Sequence, residues 1–249
     1  MKILFIGDSI IRGKQGVNFV KIIAKFFPHF KITNLGNDGE TLNIISKRLL
    51  NHLREVNDYD FIVFEGGAGD VVIPSFLEKG KLFEFAYHHQ KKKGMIPLTN
   101  SADFYSFLKK TIKEVKLLFK GKLILITNGC FNEKLTSELN SKRNEYNKII
   151  KQLVSEEQLL LADAGLLIDE YLKTKNQTDY IYEIFWCVAY TDKIVTSFKT
   201  GASRLSKKRN LLVTIDGVHL NDKGAELFSQ SVIKVLEKET NQAASNNVR

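Results

Sequence analysis

Ser9 follows a short apolar run near the start of the chain, in the sequence FIGDS at 5–9. A serine that ends a strand and precedes a helix can be a nucleophile, because ligands of parallel sheets bind at the carboxyl ends of the strands. The same residue can instead belong to a helix cap, since Asp and Ser are both favoured at helix N-termini. This stretch alone leaves both interpretations open.

An acid and a histidine lie three residues apart near the other end of the chain, in DGVH at 216–219. Asp216 could hold the His219 ring in one tautomer and stabilise its positive charge while the ring accepts a proton from a serine. The alternative is an Asp-Gly turn with an incidental histidine. A helix is predicted to follow, with Asp222 as its expected cap and Asn221 as the other candidate.

Two glycine-containing stretches follow predicted strands, NLGNDGET at 34–41 and EGGAGD at 65–70. Glycines allow backbone N–H groups to approach a ligand closely, and they also occur in ordinary tight turns. Each stretch taken singly is more often a turn than a binding loop.

Together, in this order along the chain, the four stretches resemble the sequence blocks of the SGNH/GDSL hydrolase family. The resemblance spans residues 2 to about 238. It implies that Ser9 is the nucleophile, that Asp216 and His219 complete a catalytic triad, and that the Gly39 backbone N–H belongs to the oxyanion hole together with that of Ser9. It also implies a flavodoxin-like three-layer α/β/α fold.

One position departs from the family pattern. The third block of the family contains an Asn whose side chain donates to the oxyanion, and Gly69 stands at that position. Loss of one such donor typically costs about 10²–10³ in turnover. The backbone N–H of Gly69 could turn inward, an amide such as Asn37 or Asn128 could replace the missing one, or the site could be weakly active. We favour an active enzyme, because all three triad residues are present.

The predicted function is therefore that of a serine esterase that cleaves a lipid, acyl or O-acetyl carbohydrate ester without a metal or an organic cofactor. The alternative is a weakly active or non-catalytic domain that binds an ester or glycan on the same scaffold. The remaining histidines, His29, His52, His88 and His89, show no spacing typical of a metal site.

Elements that could position these residues alternate along the chain. Apolar runs predict five strands, at 2–6, 30–35, 61–64, 123–127 and 159–163. Apolar residues at helical spacing predict helices at about 16–27, 41–56, 101–119, 137–154 and 222–238. This alternation predicts an α/β fold with one five-stranded parallel sheet between two helical layers. Ser9 and residues 66–70 would then lie at the same edge of the sheet.

We predict one domain over 1–240, interrupted by insertions at about 71–100 and 169–213, and a polar, disordered tail over 241–249. Both insertions are rich in aromatic residues and lysine. Long connections of this kind are often lids or binding loops, and they can equally be extra helices that cover the core.

The composition limits the possible partners. The chain has 249 residues, a net charge of +9 and a pI near 9.3. Lysines are scattered along the chain, without the aromatic interleaving of nucleic-acid modules, so no nucleic-acid partner is expected. No apolar stretch is long enough to span or stably insert into a bilayer. The apolar run at 3–6 is shorter than the apolar region of a signal peptide, so a cytoplasmic location is predicted. The sequence does not predict an oligomeric state.

Overall fold

A computed structural model describes residues 1–246, and for residues 188, 189 and 243–246 the backbone only. Residues 247–249, the end of the predicted tail, lie outside the described residues.

The sheet has five strands, all parallel, in the order β2-β1-β3-β4-β5. Their bounds are β1 Lys2–Gly7, β2 Lys31–Gly36, β3 Phe61–Phe64, β4 Lys122–Ile126 and β5 Leu160–Ala162. The register sets Ile3 opposite both Ile32 and Phe61. Strand β1 therefore lies inside the sheet, with its carboxyl end beside those of β2 and β3.

Helices cover both faces of the sheet. The helices over the described residues are α1 Ser9–Arg12, α2 Phe19–Phe26, α3 Leu42–Glu55, α4 Ala68–Val72, α5 Lys81–Lys92, α6 Ser101–Leu118, α7 Glu138–Glu156, α8 Ala164–Lys173, α9 Asp192–Thr196, α10 Gly201–Arg209 and α11 Asp222–Asn246. Helix α11 packs against α2 and α8, whereas α6 packs against α3 and α7. The predicted three-layer α/β/α fold with a five-stranded parallel sheet is confirmed.

The core forms because the central strands are apolar on both faces. Residues 3–6 of β1 are fully buried, and the run FIVF of β3 is also buried throughout. Strands of this type require a helical layer on each side, since each face would otherwise expose apolar side chains to water. The resulting rigid sheet positions the turns at its carboxyl edge.

Two features differ from the sequence-based expectations near the end of the chain. Helix α11 continues to Asn246, past residue 240, where the predicted domain ended. Its first turn is capped by Asn221, whose Oδ1 accepts from the Gly224 N–H at 3.1 Å. Asp222, the expected cap, is instead the first residue of the helix and accepts a hydrogen bond from the Ser203 hydroxyl.

The two predicted insertions contain ordered helical structure. The first holds a 3₁₀ turn, Pro74–Glu78, and helix α5. The second insertion, predicted to begin at about 169, starts within α8, a helix that the sequence analysis did not predict. It also holds a π-helical turn, Cys187–Thr191, followed by α9 and α10. Within residues 1–246, no helix is both long and apolar enough to cross a membrane.

Candidate active site

Ser9 lies at the carboxyl end of β1, as the first residue of α1. Asp8 caps this short helix, because its Oδ1 accepts from the Ile10 N–H at 2.9 Å. The cap is therefore Asp8, which leaves the Ser9 hydroxyl free to face another partner. That partner is His219, whose Nε2 lies 3.0 Å from Ser9 Oγ.

Asp216 and His219 are hydrogen-bonded to each other on the loop that precedes α11. His219 Nδ1 lies 2.7 Å from Asp216 Oδ2. The other oxygen of Asp216 accepts from the backbone N–H groups of Val218 at 3.0 Å and His219 at 2.8 Å. Since a carboxylate only accepts, Nδ1 donates to it, and the neutral ring presents Nε2 as an acceptor to the Ser9 hydroxyl.

The electrostatics of the pair favour a charged state of both groups. Burial opposes ionisation of Asp216, but the charge of His219 and its hydrogen bonds outweigh that cost and lower the pKa of Asp216 below its ordinary value. Burial likewise disfavours a charged His219, yet the Asp216 carboxylate raises the pKa of the ring above its ordinary value. The imidazole is thus a stronger base than a free histidine.

Gln15 is a buried residue that the sequence analysis did not identify. Its Nε2 donates to Asp216 Oδ2 at 2.9 Å, so this oxygen accepts from both Gln15 and His219. The amide therefore helps to fix the orientation of the carboxylate. No sequence signal marks it, because Gln15 lies in a loop with an ordinary composition for a turn, RGKQG at 12–16.

Glu133 fixes the segment from which Asp216 and His219 project. Its fully buried carboxylate accepts from the backbone N–H groups of Leu212 at 2.6 Å, Val213 at 2.8 Å and Thr214 at 2.8 Å. It also accepts from the Thr214 hydroxyl at 2.8 Å. The sequence analysis did not identify this residue either, because the partners are about 80 positions away along the chain.

Gly39 and Gly69 line the same cavity as Ser9 and His219. Gly39 has a φ of +69°, a conformation that glycine adopts without strain. Gly69 lies in the first turn of α4 and makes a close backbone contact: a Cβ there would be 2.3 Å from the carbonyl oxygen of Glu40. The amino acid at position 69 is therefore restricted by the backbone of the Gly39 loop.

The two amides considered as replacements for the missing Asn are engaged elsewhere. Asn37 Nδ2 donates to Glu40 Oε1 at 2.7 Å, and Asn128 Nδ2 donates to the Gly66 carbonyl at 3.3 Å. Neither residue lines the cavity at Ser9. A different amide does: Gln90 of α5 lines the cavity, and its Nε2 would lie 2.8 Å from a Cβ placed on Gly39.

Two buried acids lie behind the nucleophile. Glu65 Oε2 accepts from the Asp8 backbone N–H at 3.2 Å, and the two carboxyl groups interact. Burial raises the pKa of Asp8 to about 6 and, together with the charge of Asp8, raises the pKa of Glu65 well above its ordinary value. The pair therefore retains a proton at a pH at which exposed carboxyl groups are ionised.

Both insertions contribute to the walls of the cavity. Phe76 and Phe83 come from the first insertion, and Tyr182 and Phe185 come from the second. Lys193 of α9 lies at the rim, 2.8 Å from the Asp38 carboxylate. Over the described part of the chain, no cluster of three or more His, Cys, Asp or Glu side chains is arranged to hold a metal ion.

The parallel sheet defines the molecule as an α/β/α protein, and hydrogen-bonded Ser, His and Asp side chains lie at the carboxyl edge of that sheet. No protein-family model matches the sequence, and no curated protein matches it. Solved structures do match. An acetylxylan esterase from Geobacillus stearothermophilus is 18% identical over 94% of this chain and 92% of its own, with a TM-score of 0.63.

Two further structures have the same fold. A member of the lipolytic protein G-D-S-L family from Veillonella parvula is 18% identical over 94% of this chain and 97% of its own, with a TM-score of 0.60. An alpha/beta hydrolase from the metagenome of Lake Arreo is 15% identical over 94% of each chain, with a TM-score of 0.61. The resemblance inferred from the sequence blocks is thus confirmed at the level of the fold.

Proposed function

We propose that the protein is a serine ester hydrolase in which Ser9 is the nucleophile, His219 the general base and acid, and Asp216 the residue that orients His219. The observation that carries this proposal is the continuous hydrogen-bonded chain from Ser9 Oγ through His219 to Asp216, with distances of 3.0 Å and 2.7 Å. Such an arrangement activates a serine hydroxyl that is otherwise a weak nucleophile.

The reaction has two acyl-transfer steps. His219 Nε2 accepts the Ser9 proton as Oγ attacks the ester carbonyl carbon, and the resulting imidazolium is stabilised by Asp216. The imidazolium then protonates the alcohol oxygen as the carbon–oxygen bond to the alcohol breaks, which leaves an acyl group on Ser9. Water, deprotonated by His219, attacks the acyl group and releases the acid and the free serine.

Backbone N–H groups provide the oxyanion hole in this proposal. Those of Ser9 and Gly39 are the main donors, and Gly69 adds its own N–H, which lacks an intrahelical partner because it lies in the first turn of α4. The side-chain amide of Gln90 lies beside Gly39, where it can supply the amide donor that Gly69 lacks.

Two further observations support an ester hydrolase. The structures that share the fold include an acetylxylan esterase and a lipolytic G-D-S-L protein. Catalytic mutants of that acetylxylan esterase have been made by replacing a serine and a histidine with alanine. The rival proposal, a non-catalytic binding domain, is favoured by one observation, the absence of an Asn side chain at position 69.

Replacement of the nucleophile tests the proposal. We expect the wild-type protein to hydrolyse p-nitrophenyl esters and to be labelled covalently by a fluorophosphonate probe. Ser9→Ala should abolish labelling and lower kcat by at least about 10³-fold, because the acyl-enzyme can no longer form.

The matched control is Ser141→Ala, at an exposed serine of α7, which should retain labelling and turnover. Circular dichroism and thermal melting should show that both variants are folded. Equal turnover in wild type and Ser9→Ala, or no labelling of the wild type at all, would contradict the proposal and favour a binding domain.

A further inference from the structure

The cavity at Ser9 is mainly apolar, although the residues that do the chemistry are polar. Its volume is about 300 Å³. Much of its wall is formed by Val72, Ile73, Phe76, Phe83, Tyr182 and Phe185. An acyl chain gains free energy from each part of this wall that it covers, whereas a hydroxyl group that faces the wall loses its hydrogen bonds to water.

The apolar wall begins beside the position of the carbonyl carbon. Val72 and Ile73 follow Gly69 by about one helical turn in and after α4. Gly69 itself lies against the backbone of the Gly39 loop, which is the proposed source of oxyanion donors besides Ser9. A substrate whose carbonyl oxygen binds to these donors therefore has the apolar wall within reach of its acyl chain.

The aromatic end of the wall is a packed cluster, with Phe83 at its centre. The Phe83 ring is 3% exposed, and its centroid lies 5.5 Å from that of Phe76, 6.0 Å from Tyr182 and 5.4 Å from Phe185. These contacts join the first insertion to the second. The wall is therefore formed before a substrate binds, and a chain that enters it displaces water from apolar surface.

The volume limits the length of the chain. A cavity of about 300 Å³ lies at the small end of ligand pockets, which span roughly 300–1,000 Å³. We infer that the enzyme, if it is the ester hydrolase proposed above, acts on fatty acyl esters with about six to ten carbons in the acyl group rather than on acetyl esters. The bond that breaks is the same carbonyl carbon to alcohol oxygen bond.

A chain-length series tests this inference. kcat/KM is measured for p-nitrophenyl acetate, butyrate, hexanoate, octanoate and laurate with the wild-type protein. Each methylene that enters the pocket should raise kcat/KM by up to about fourfold. We expect octanoate to exceed acetate by at least about tenfold and laurate to fall below octanoate, because its chain exceeds the cavity.

A substitution that fills the cavity provides the structural link. Ala86 lies in the wall, one turn after Phe83 in α5, so Ala86→Phe should shorten the pocket and lower the octanoate-to-acetate ratio by about tenfold. The matched control is Phe85→Trp, since Phe85 is on the same helix but 69% exposed and outside the cavity. This control should keep the wild-type ratio.

The outcomes separate the two proposals. A profile that is flat or highest at acetate, or an Ala86→Phe ratio equal to that of wild type, overturns the acyl-chain inference while the esterase proposal stands.

Methyl octanoate and octyl acetate complete the test, and faster cleavage of octyl acetate would overturn the inference because the chain would then occupy an alcohol site. If Ala86→Phe fails to fold, the wild-type chain-length series still decides whether the protein prefers octanoate or acetate. No cleavage of any ester, with no fluorophosphonate labelling, contradicts both.

Discussion

At the residue scale, Gly69 is the position at which the chain departs from the SGNH/GDSL pattern that it resembles, and the structure gives a physical reason for the glycine. A Cβ at this position would lie 2.3 Å from the Glu40 carbonyl oxygen and 2.9 Å from its carbon. Both atoms are backbone, so they cannot move aside as the end of a side chain could. The loop that carries Gly39 has thus approached α4 more closely than any larger residue would allow.

We expect both Gly69→Ala and Gly69→Asn to lower kcat for a p-nitrophenyl ester. Either side chain must push the Gly39 loop away, and a displacement of about 1 Å at a reacting centre can cost 10²-fold in rate. Steady-state kinetics of the two variants side by side provide the measurement.

Ser155→Asn serves as the control for these variants. Ser155 is an exposed residue of α7 outside the cavity, and its helical backbone accepts Asn without strain. Turnover should stay at the wild-type level. Faster turnover in Gly69→Asn together with no change in Gly69→Ala would show instead that a side-chain donor is simply missing from the site.

At the scale of elements, one buried carboxylate holds residues 212–214, which begin the loop that bears Asp216 and His219. It follows no strand of the sheet, and its local pairing is a single bridge between Thr214 and Leu220. Glu133, on the connection between β4 and α7, provides four hydrogen bonds to residues 212–214. A charged acceptor suits this role because hydrogen bonds to charged groups are stronger than neutral ones.

We expect Glu133→Gln to lower the free energy of unfolding by about 2–4 kcal/mol and to reduce turnover. Its amide NH₂ would face backbone N–H donors, so at least one buried donor would lose its partner. Urea unfolding and ester hydrolysis measure the two effects.

Glu138→Gln, at an exposed residue of the first turn of α7, is the control and should change stability by less than about 1 kcal/mol. Wild-type stability in Glu133→Gln would mean that the 212–214 segment is held by other contacts.

At the scale of the whole molecule, the carboxyl edge of the sheet carries buried acids whose ionisation opposes folding. Asp8 and Glu65 are both buried, and both have raised pKa values, about 6 in the case of Asp8. In the unfolded chain these groups lose their protons at lower pH. The folded state therefore binds more protons than the unfolded state above about pH 4, and stability falls as the pH rises through the pKa of Asp8 and toward that of Glu65.

Glu65→Gln should reduce this loss. The amide keeps the shape of the side chain and can accept from the Asp8 N–H, but it does not ionise. We expect equal stability of variant and wild type near pH 5 and an advantage for the variant that grows as the pH rises to 8, because only the wild-type carboxyl group must ionise.

Urea unfolding at pH 5, 6, 7 and 8 measures this difference. Glu55→Gln, at an exposed site in the last turn of α3, should follow the wild-type curve. Parallel pH dependence in wild type and Glu65→Gln would show that the carboxyl pair does not retain a proton in the folded state.

The sequence by itself determined the fold class and the residues proposed for catalysis. Apolar runs such as FIVF at 61–64 and the helical spacing between them are local patterns, and the five-stranded parallel sheet follows from their alternation. Ser9, Asp216 and His219 were identified because four short stretches, in their order along the chain, resemble the blocks of the SGNH/GDSL family, although each stretch alone left another interpretation open. Local signals of this kind need no knowledge of distant contacts.

Only the tertiary structure decided which residues support the candidate site, why position 69 is restricted to glycine and what forms the wall of the cavity. Gln15 lies about 200 positions from its partner Asp216, and Glu133 lies about 80 positions from its partners. No short sequence pattern could therefore reveal these contacts. The same holds for Gly69 against Glu40 and for the aromatic wall that joins Phe83 to Tyr182. These features arise when the two insertions and the Gly39 loop pack at one edge of the sheet, and packing of distant segments is a property of the folded chain rather than of any motif.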